Sequence, residues 1–273
     1  MSPLLTAANI HDSRLANYSV HMDSWAEWVM YEMPRTEEGG LQHITYLEDN
    51  KEQLWDDTLM MSVLPLTKIG IVFGRNEYIE EAKRQFLLQD IQTGLWFHGK
   101  VFVNRHTRSD SKPINQGGLS PDDIISDVSI GPEGTLLGLP QDDGLRLFLV
   151  STLRAQIDAL VACQDQASGL WHTILDDQTS YLEASASAGF AYGILKALRL
   201  RLVSREERYE LASKKAIEGV IANISEAGEL MNVSFGTPVF NDAESYRKVP
   251  LTSMPYGQSL ALLALTEYLR TFL

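Results

Sequence analysis

A short phrase centred on glycine recurs along the chain, and this repetition constrains the fold more than any other feature. It reads EGGLQHITY around Gly40, TGLWFHGKVF around Gly94, SGLWHTIL around Gly169 and, more faintly, AGELMNVSFG around Gly228. Repeats of about 50 residues that join helices are typical of stacked helical hairpins with a shared core. Because such a stack presents equivalent turns on one face, we expect the four glycine loops to lie at the same end of the fold.

The intervals between these phrases carry helical sequence. Apolar residues recur there at the spacing of an amphipathic helix, and no long stretch alternates as a strand would. The many small residues in the third helix predict close packing against its neighbours, and Ser204 with Glu207 forms a capping-box pattern. The predicted helices are Asn76–Gln89, Gln141–Gln164, Leu182–Leu202, Ser204–Asn223 and Gly257–Phe272.

Length and charge narrow the class of protein. The 273 residues fit one domain spanning 1–273, because a stack of hairpins grows by addition. A formal net charge of −13 argues against a nucleic-acid partner, since phosphate contacts need clustered Lys and Arg. Segment 104–139 is rich in Ser, Asp, Pro and Gly and predicts an irregular loop, either a functional lid or an altered element.

The compartment is predicted from what the sequence lacks. The single cysteine, Cys163, has no partner for an internal disulfide and is most simply a small buried apolar side chain. The first residues do not resemble a secretory signal, and no apolar run is long enough to cross a bilayer. We therefore expect a cytoplasmic protein with no membrane partner, while the oligomeric state stays open.

The phrase LWDDTLMM at 54–61 places two acids at the start of an apolar helix with Gly70 as a plausible stop. One interpretation is that an aspartate caps the helix, because its oxygens accept from the free N–H groups of the first turn. The other is that a catalytic carboxyl lies at the mouth of a cavity, with Trp55 beside it as a platform for a sugar ring. Both interpretations concern Asp56 and Asp57.

Motifs for metals, cofactors and serine chemistry are missing. The six histidines form no H-E-x-x-H pattern, and the chain has no phosphate-binding loop, dinucleotide fingerprint or G-x-S-x-G elbow. Asp176 and Asp177 resemble an acidic metal motif, but no third ligand accompanies them, so a turn is the favoured interpretation. We expect neither a metal nor a cofactor.

Four phrases together resemble the unsaturated rhamnogalacturonyl hydrolases, glycoside hydrolase family 105, which are related to the unsaturated glucuronyl hydrolases of family 88. They are LWDDTLMM, GLWFHG, GLWHTILDDQTSYLEASASAGFAYGILKA and PLTSMPYGQSLALLALTEY. The resemblance implies an all-α (α/α)6 barrel whose loops form a carbohydrate pocket at one end. The chain is shorter than the family norm, which implies that about one hairpin is missing.

The resemblance also implies a reaction. Family members remove a 4,5-unsaturated uronic acid from the non-reducing end of oligosaccharides that a lyase has produced, here expected to be of pectin type. The acid before Thr-Leu in the family motif corresponds to Asp57, which is expected to protonate the vinyl ether and then help to activate water. Its neighbour Asp56 is expected to cap the helix or to raise the pKa of Asp57 by like-charge repulsion.

Further residues are candidates for substrate binding, each with a structural alternative. His98 matches a family position that contacts the unsaturated sugar, or it is a loop histidine with local partners. Indole rings stack well on sugars but also pack well in a core. The histidines of the analogous loops and the residues of the last hairpin have the same two interpretations, substrate binding or a structural role. These candidates are His43, Trp55, Asp56, Trp96, His98, Trp171, His172, Glu183, Tyr256 and Gln258.

One departure from the family leaves two functions open. Members carry a phrase close to WARGNGW after the His98 loop, whereas this chain reads SDVSIGPEGTLLGLP at 126–140. The leading hypothesis is an active hydrolase with a rebuilt pocket wall. The alternative is an impaired member that binds carbohydrate or protein, and a sugar epimerase on a similar helical fold is a third, weaker option.

Overall fold

A computed structural model describes most of the chain in two compact units. The described residues are 15–45, 50–55, 58–88, 91–92, 95–96, 99–101, 142, 144–237, 240 and 242–273. Asp56, Asp57, Gly94, His98 and segment 104–139 lie outside them. Unit 1 comprises Met1–Asp90, Gly99–Asn104 and Asp127–Pro140, and unit 2 comprises Ile91–His98, Arg105–Ser126 and Gln141–Leu273. The single domain expected over 1–273 stays a prediction.

Unit 1 is built from helices and one two-stranded sheet. Strands β1 (Gln53–Trp55) and β4 (Gly99–Val101) pair antiparallel, so that Trp55 lies opposite Gly99, the residue that follows His98 in the chain. Residues Gln53–Trp55 therefore run beside residues Gly99–Val101 at this sheet. The elements are α1 (Leu15–Tyr31), β1 (Gln53–Trp55), a π-helix (Leu59–Val63), α2 (Leu64–Phe73), α3 (Asn76–Leu87) and β4 (Gly99–Val101).

The apolar helix that was expected after the two acids is present but begins and ends differently. Its first five residues form a π-helix, and Pro65 follows at the start of α2. Proline has no N–H and crowds the preceding turn, which gives a physical reason for the wider first turn. The predicted stop at Gly70 is wrong, because the helix ends at Gly74 with φ 65°. At Gly70 a Cβ would lie 3.0 Å from the Arg75 carbonyl oxygen, so glycine there permits the close turn into α3.

Unit 2 packs its helices around one buried helix. Helix α5 is buried from Ala184 to Leu198, and it packs against α6 and α8, which confirms the close packing predicted from its small residues. The elements are β2 (Ile91–Gln92), β3 (Leu95–Trp96), α4 (Gly144–Cys163), β5 (Trp171–His172), β6 (Leu182–Glu183), α5 (Ala184–Arg199), α6 (Glu207–Ala222), β7 (Val233–Ser234), α7 (Ala243–Arg247), β8 (Leu251–Thr252) and α8 (Pro255–Phe272).

The predicted helices are all found, and the differences occur at their ends. Helix α6 begins at Glu207, and the residue before it makes no side-chain cap, so the capping box predicted from Ser204 is wrong. Helices α1 and α7 have no predicted counterpart, since the first is only weakly amphipathic in sequence and the second is a single short turn. Within the described ranges, none of the helices has the length and apolar character needed to span a membrane.

Three of the glycine phrases fold into similar turns, of which the one at Gly169 is one residue longer. Gly39, Gly169 and Gly228 have φ of 86°, 75° and 83°, a left-handed region that favours glycine. In each turn the carbonyl of the next residue accepts from an N–H on the incoming chain: Thr36 to Gly40 at 2.9 Å, Asp165 to Leu170 at 3.0 Å and Ser225 to Glu229 at 2.8 Å. The sequence analysis centred the first turn on Gly40, but the left-handed glycine is Gly39, so the predicted position is wrong by one residue. That the four loops share one end stays a prediction.

A side chain from a helix completes each of these turns. Two residues after the glycine, the N–H of Leu41 donates to Gln85 Oε1 at 2.8 Å, and that of Leu230 donates to Gln258 Oε1 at 2.9 Å. The same two amides donate back to the glycine carbonyls, at 3.1 Å to Gly39 and 3.0 Å to Gly228. In the remaining turn two side chains supply these partners. Ser187 Oγ accepts from the Trp171 N–H, and the Gln164 amide donates to the Gly169 carbonyl.

We expect Gly169→Ala to destabilise the protein more than Gly228→Ala. Both substitutions force a left-handed φ, which costs about 1–2 kcal/mol. At Gly169 the new Cβ would also lie 2.2 Å from the Lys215 carbonyl oxygen, whereas at Gly228 nothing lies within 4 Å. Overpacking of this kind costs about 1–3 kcal/mol in addition. Urea unfolding measures the two free energies, and equal losses would contradict the close approach of the Gly169 turn to α6.

Candidate functional site

The residues on both sides of the two acids are buried and held in place. Trp55 ends β1 and is 6% exposed, and Thr58 precedes the π-helix and is 3% exposed. The Trp55 indole N–H donates to Gln53 Oε1 at 2.8 Å. Asp56 and Asp57 come between these two described residues in the sequence. The described residues on either side of the catalytic candidate are therefore buried and hydrogen-bonded.

His43 contacts both of these flanking residues. Its ring stacks on the Trp55 indole with centroids 4.1 Å apart and an interplanar angle of 7°. Its Nδ1 lies 2.9 Å from Thr58 Oγ1, and which of the two atoms donates depends on the tautomer. The ring is 8% exposed. His43 therefore covers one face of the Trp55 ring that was expected to stack on a sugar. The contacts of both residues agree with the alternative that they stabilise the local structure.

The candidates in GLWFHG are only partly described. The backbone of Trp96 belongs to β3 and pairs with Ile91 across a two-residue hairpin. His98 lies outside the described residues, as do both acids. The roles of Asp56, Asp57, Trp96 and His98 therefore stay predictions.

The tryptophan and histidine of the third phrase are part of the core of unit 2. Trp171 has no exposed surface, donates its indole N–H to the Leu160 carbonyl at 2.7 Å and meets Phe190 edge to face at 5.5 Å. His172 Nδ1 donates to the Ser180 carbonyl at 2.6 Å, which fixes a proton on that nitrogen. The core-packing alternative describes Trp171, because a buried indole offers no face to a sugar.

Glu183 uses its carboxylate to join two elements of unit 2. One oxygen accepts from the Ala186 N–H at 2.6 Å and so caps α5, while the other accepts from Ser185 at 2.7 Å and from the Ser234 N–H at 2.9 Å. Burial raises the pKa of Glu183, although these donors act in the opposite direction. A carboxylate with three protein donors and 1% exposure favours the structural alternative.

The candidates of the last hairpin are held by the neighbouring loops. Gln258 uses its amide on the Gly228 turn, as described above. The Tyr256 hydroxyl donates to the Ser234 carbonyl and accepts from the Gly236 N–H at 3.1 Å, while 41% of the residue stays exposed. Tyr256 therefore keeps a surface that a ligand could contact, and Gln258 is a structural clamp.

Two contributors were missed by sequence reasoning. Thr58 was passed over although it stands directly after Asp57, and its place at the helix start was the available signal. Ser234 joins three side chains, since its N–H contacts Glu183 and its hydroxyl lies 2.9 Å from the Tyr181 hydroxyl. Its carbonyl accepts from Tyr256. No pattern in the sequence marks it, because these partners are brought together only by folding.

The acidic pair Asp176 and Asp177 forms a turn, as predicted. The Asp177 carboxylate accepts from the Thr179 N–H at 2.9 Å and the Thr179 hydroxyl at 2.6 Å, and it pairs with Arg247. These Thr179 bonds, followed by Arg247, lower the pKa of Asp177 to about 2. Among the residues that the structure describes, no three His, Cys, Asp or Glu side chains converge to hold a metal ion.

Comparison with known proteins places this helical chain among the glycosyl hydrolases. The sequence profile of Glycosyl Hydrolase Family 88 matches residues 3–117 and 130–272. The chain belongs to this family, which confirms the resemblance drawn from its motifs.

Relatives and solved structures agree with that membership. The unsaturated rhamnogalacturonyl hydrolase YesR of Bacillus subtilis is 36% identical over 263 residues, which is 90% of this chain and 69% of YesR. A crystal structure from Salmonella enterica, described as a possible member of the GH105 family, has a TM-score of 0.90 and 50% identity over 100% of this chain and 71% of its own.

A more distant structure supports the fold alone. The unsaturated glucuronyl hydrolase of Bacillus sp. GL1 is 16% identical with a TM-score of 0.65, covering 95% of this chain and 69% of its own. The predicted all-α (α/α)6 fold class is confirmed by these likenesses. The missing hairpin stays a prediction.

We expect Asp177→Asn to remove part of the stability that the protein loses in acid. The folded pKa of about 2 lies below the unfolded value of about 3.9, so the charged form stabilises the fold. That contribution is complete above about pH 4 and disappears as the pH falls towards about 2. Urea unfolding at pH 7 and in acid should show a lower but flatter profile for the variant. The exposed Glu226→Gln serves as control, and a profile as steep as that of the unmutated protein would contradict this role.

Proposed function

We propose that this protein is a glycosidase that removes a 4,5-unsaturated uronic acid from the non-reducing end of lyase-generated, pectin-type oligosaccharides. Family membership and the 36% identity to an unsaturated rhamnogalacturonyl hydrolase support this substrate class. We also propose that it acts in the cytoplasm, in agreement with the sequence expectations above.

The observation that carries the site assignment is the register of β1 and β4. It pairs Trp55, which directly precedes the two acids in the sequence, with Gly99, which directly follows His98. Trp55 and Gly99, which are 44 residues apart in the chain, therefore lie opposite one another in this sheet. This pairing of the sequence neighbour of the two acids supports Asp57 as the acid, while His98 is proposed as a substrate-binding residue from the family motif alone.

The chemistry needs one group that gives and then takes a proton. Asp57 donates a proton to carbon 4 of the vinyl ether, and the developing cation at carbon 5 is attacked by water. The water transfers a proton to the resulting carboxylate of Asp57, which restores the acid. The hydroxyl proton at carbon 5 passes to the ring oxygen as the bond between that oxygen and carbon 5 breaks, which leaves a ketone at carbon 5 and a hemiacetal at carbon 1. This hemiacetal collapses to an aldehyde, the glycosidic bond breaks, and the remaining saccharide leaves with the hemiacetal proton. One water is consumed, and no second carboxylate is required.

A second function is favoured by one sequence observation. The interval 126–140 lacks the WARGNGW-like phrase, which in the family contributes to substrate binding near the reacting ring. An impaired member would bind the unsaturated disaccharide, or a protein, without turning it over. The test below separates this alternative from the hydrolase.

We expect Asp57→Asn to lower kcat by about a hundred- to ten-thousand-fold, the usual contribution of a general acid–base group. Asp56→Asn should cost much less, because it changes only the neighbour. The measurement is loss of the ultraviolet absorbance of the unsaturated bond in disaccharides prepared with a rhamnogalacturonan lyase. For the unmutated protein the rate should fall as the pH rises through the pKa of Asp57, since the acid must be protonated to act.

Three outcomes of this experiment are decisive. Near-normal turnover by Asp57→Asn would remove Asp57 from the mechanism. Binding of the disaccharide by the unmutated protein without consumption would favour the impaired member. Turnover of glucuronan-derived disaccharides in preference to those from rhamnogalacturonan would keep the reaction but replace the pectin-type substrate.

A further inference from the structure

We propose that His43 is a positioning residue, which holds the two ends of the Trp55–Thr58 segment and thereby fixes the place of Asp57. This inference rests on the proposed function, because it assigns a purpose to the geometry around the proposed acid. It departs from the sequence expectation that His43 contacts the substrate. The juxtaposition that carries it is a single imidazole in contact with the residue before the two acids and the residue after them.

In the first contact, between His43 and Trp55, Gln53 hydrogen-bonds to both residues. The Gln53 carbonyl accepts the His43 backbone N–H at 3.0 Å, and its side-chain oxygen accepts the Trp55 indole N–H at 2.8 Å. The two rings are held almost parallel, 4.1 Å apart. The stack is thus a built feature of the loop and the β1 strand, and it fixes the end of the segment before Asp56.

The second contact, between His43 and Thr58, uses a hydroxyl that the helix itself does not use. Thr58 stands at the N-terminus of the π-helix but makes no side-chain cap to it. Its Oγ1 instead lies 2.9 Å from His43 Nδ1. Both residues are more than nine-tenths buried, and a hydrogen bond shielded from water is electrostatically stronger than an exposed one.

Burial argues for positioning over direct substrate contact. With one ring face on Trp55, one edge on Thr58 and 8% exposure, the imidazole presents little surface to a sugar. Only two residues separate its two partners in the chain. Each residue spans at most about 3.3–3.6 Å, so fixing both partners limits how far the backbone of the acids can move. A misplacement of about 1 Å in a reacting group costs about a hundredfold in rate.

The test is a set of variants that separates the hydrogen bond from the stack. His43→Phe keeps an aromatic ring against Trp55 and removes Nδ1, whereas Thr58→Val keeps the side-chain volume and removes the hydroxyl. Thr58→Ser restores the hydroxyl. We expect kcat on the unsaturated disaccharide to fall about ten- to a hundredfold for His43→Phe and Thr58→Val, with KM changed by less than about threefold. Thr58→Ser should recover most of the loss.

A double mutant and a matched control make the result specific. His43→Phe combined with Thr58→Val should lose no more than the worse single variant, because both changes break the same hydrogen bond. Thr67→Val is the control: this threonine is also buried, but its hydroxyl donates at 2.9 Å to the carbonyl of Val63, the last residue of the π-helix. Its kcat should be unchanged. If His43→Phe fails to fold, Thr58→Val and Thr58→Ser still decide the question.

Several results would overturn the inference. Unchanged kcat in Thr58→Val, strictly additive losses in the double variant, or an equal loss in Thr67→Val would remove the positioning role. A raised KM at constant kcat would mean that His43 binds the substrate directly. Failure of the unmutated protein to consume the disaccharide would overturn the proposed function and this inference together, and this outcome is distinguishable because no variant is needed to observe it.

Discussion

The structure depends on satisfying the backbone N–H and C=O groups at the ends of its helical hairpins. A turn with a left-handed glycine leaves a carbonyl and a nearby N–H facing inward, and a buried group without a partner is costly. Gln85 and Gln258 each supply both partners with one amide, so a donor and an acceptor come from the same side chain. The chain thereby locks each turn onto a helix that lies roughly thirty to fifty residues further along the sequence.

The same requirement accounts for the hydrogen bonds of several candidate residues. Glu183 lies beside the start of α5, where free N–H groups and a strand from a distant part of the chain converge, and its carboxylate is consumed by them. Trp171 follows a glycine turn, so its indole points into the core and finds a carbonyl there. Residues next to conspicuous glycines thus resemble binding residues in sequence while stabilising the loops that would frame a pocket.

The loop around His43 shows how such a framework can serve chemistry. Gln53, Trp55 and Thr58 are arranged about His43; the His43–Thr58 contact is buried and the hydrogen bond between Trp55 and Gln53 is partly buried. None of these side chains needs to contact the substrate to influence the rate, because the orientation of an acid depends on the order of the backbone on both sides of it. The wider π-helical turn and Pro65 follow directly, so the segment is bounded by β1 on one side and an unusual helix start on the other.

The sequence by itself determined the helical class, the approximate extent of five helices, the close packing of α5 and the family. These features are local or periodic: the spacing of apolar residues and the small side chains act through neighbours within a few turns. Helix ends were less well predicted, as Gly70, Gly74 and Ser204 illustrate, because tertiary contacts decide where a helix stops. Only the tertiary structure decided which polar side chains serve the loops. Gln258 takes a partner 28 residues away and Glu183 pairs with Ser234 across 51 residues, and no short-range pattern records such a pairing.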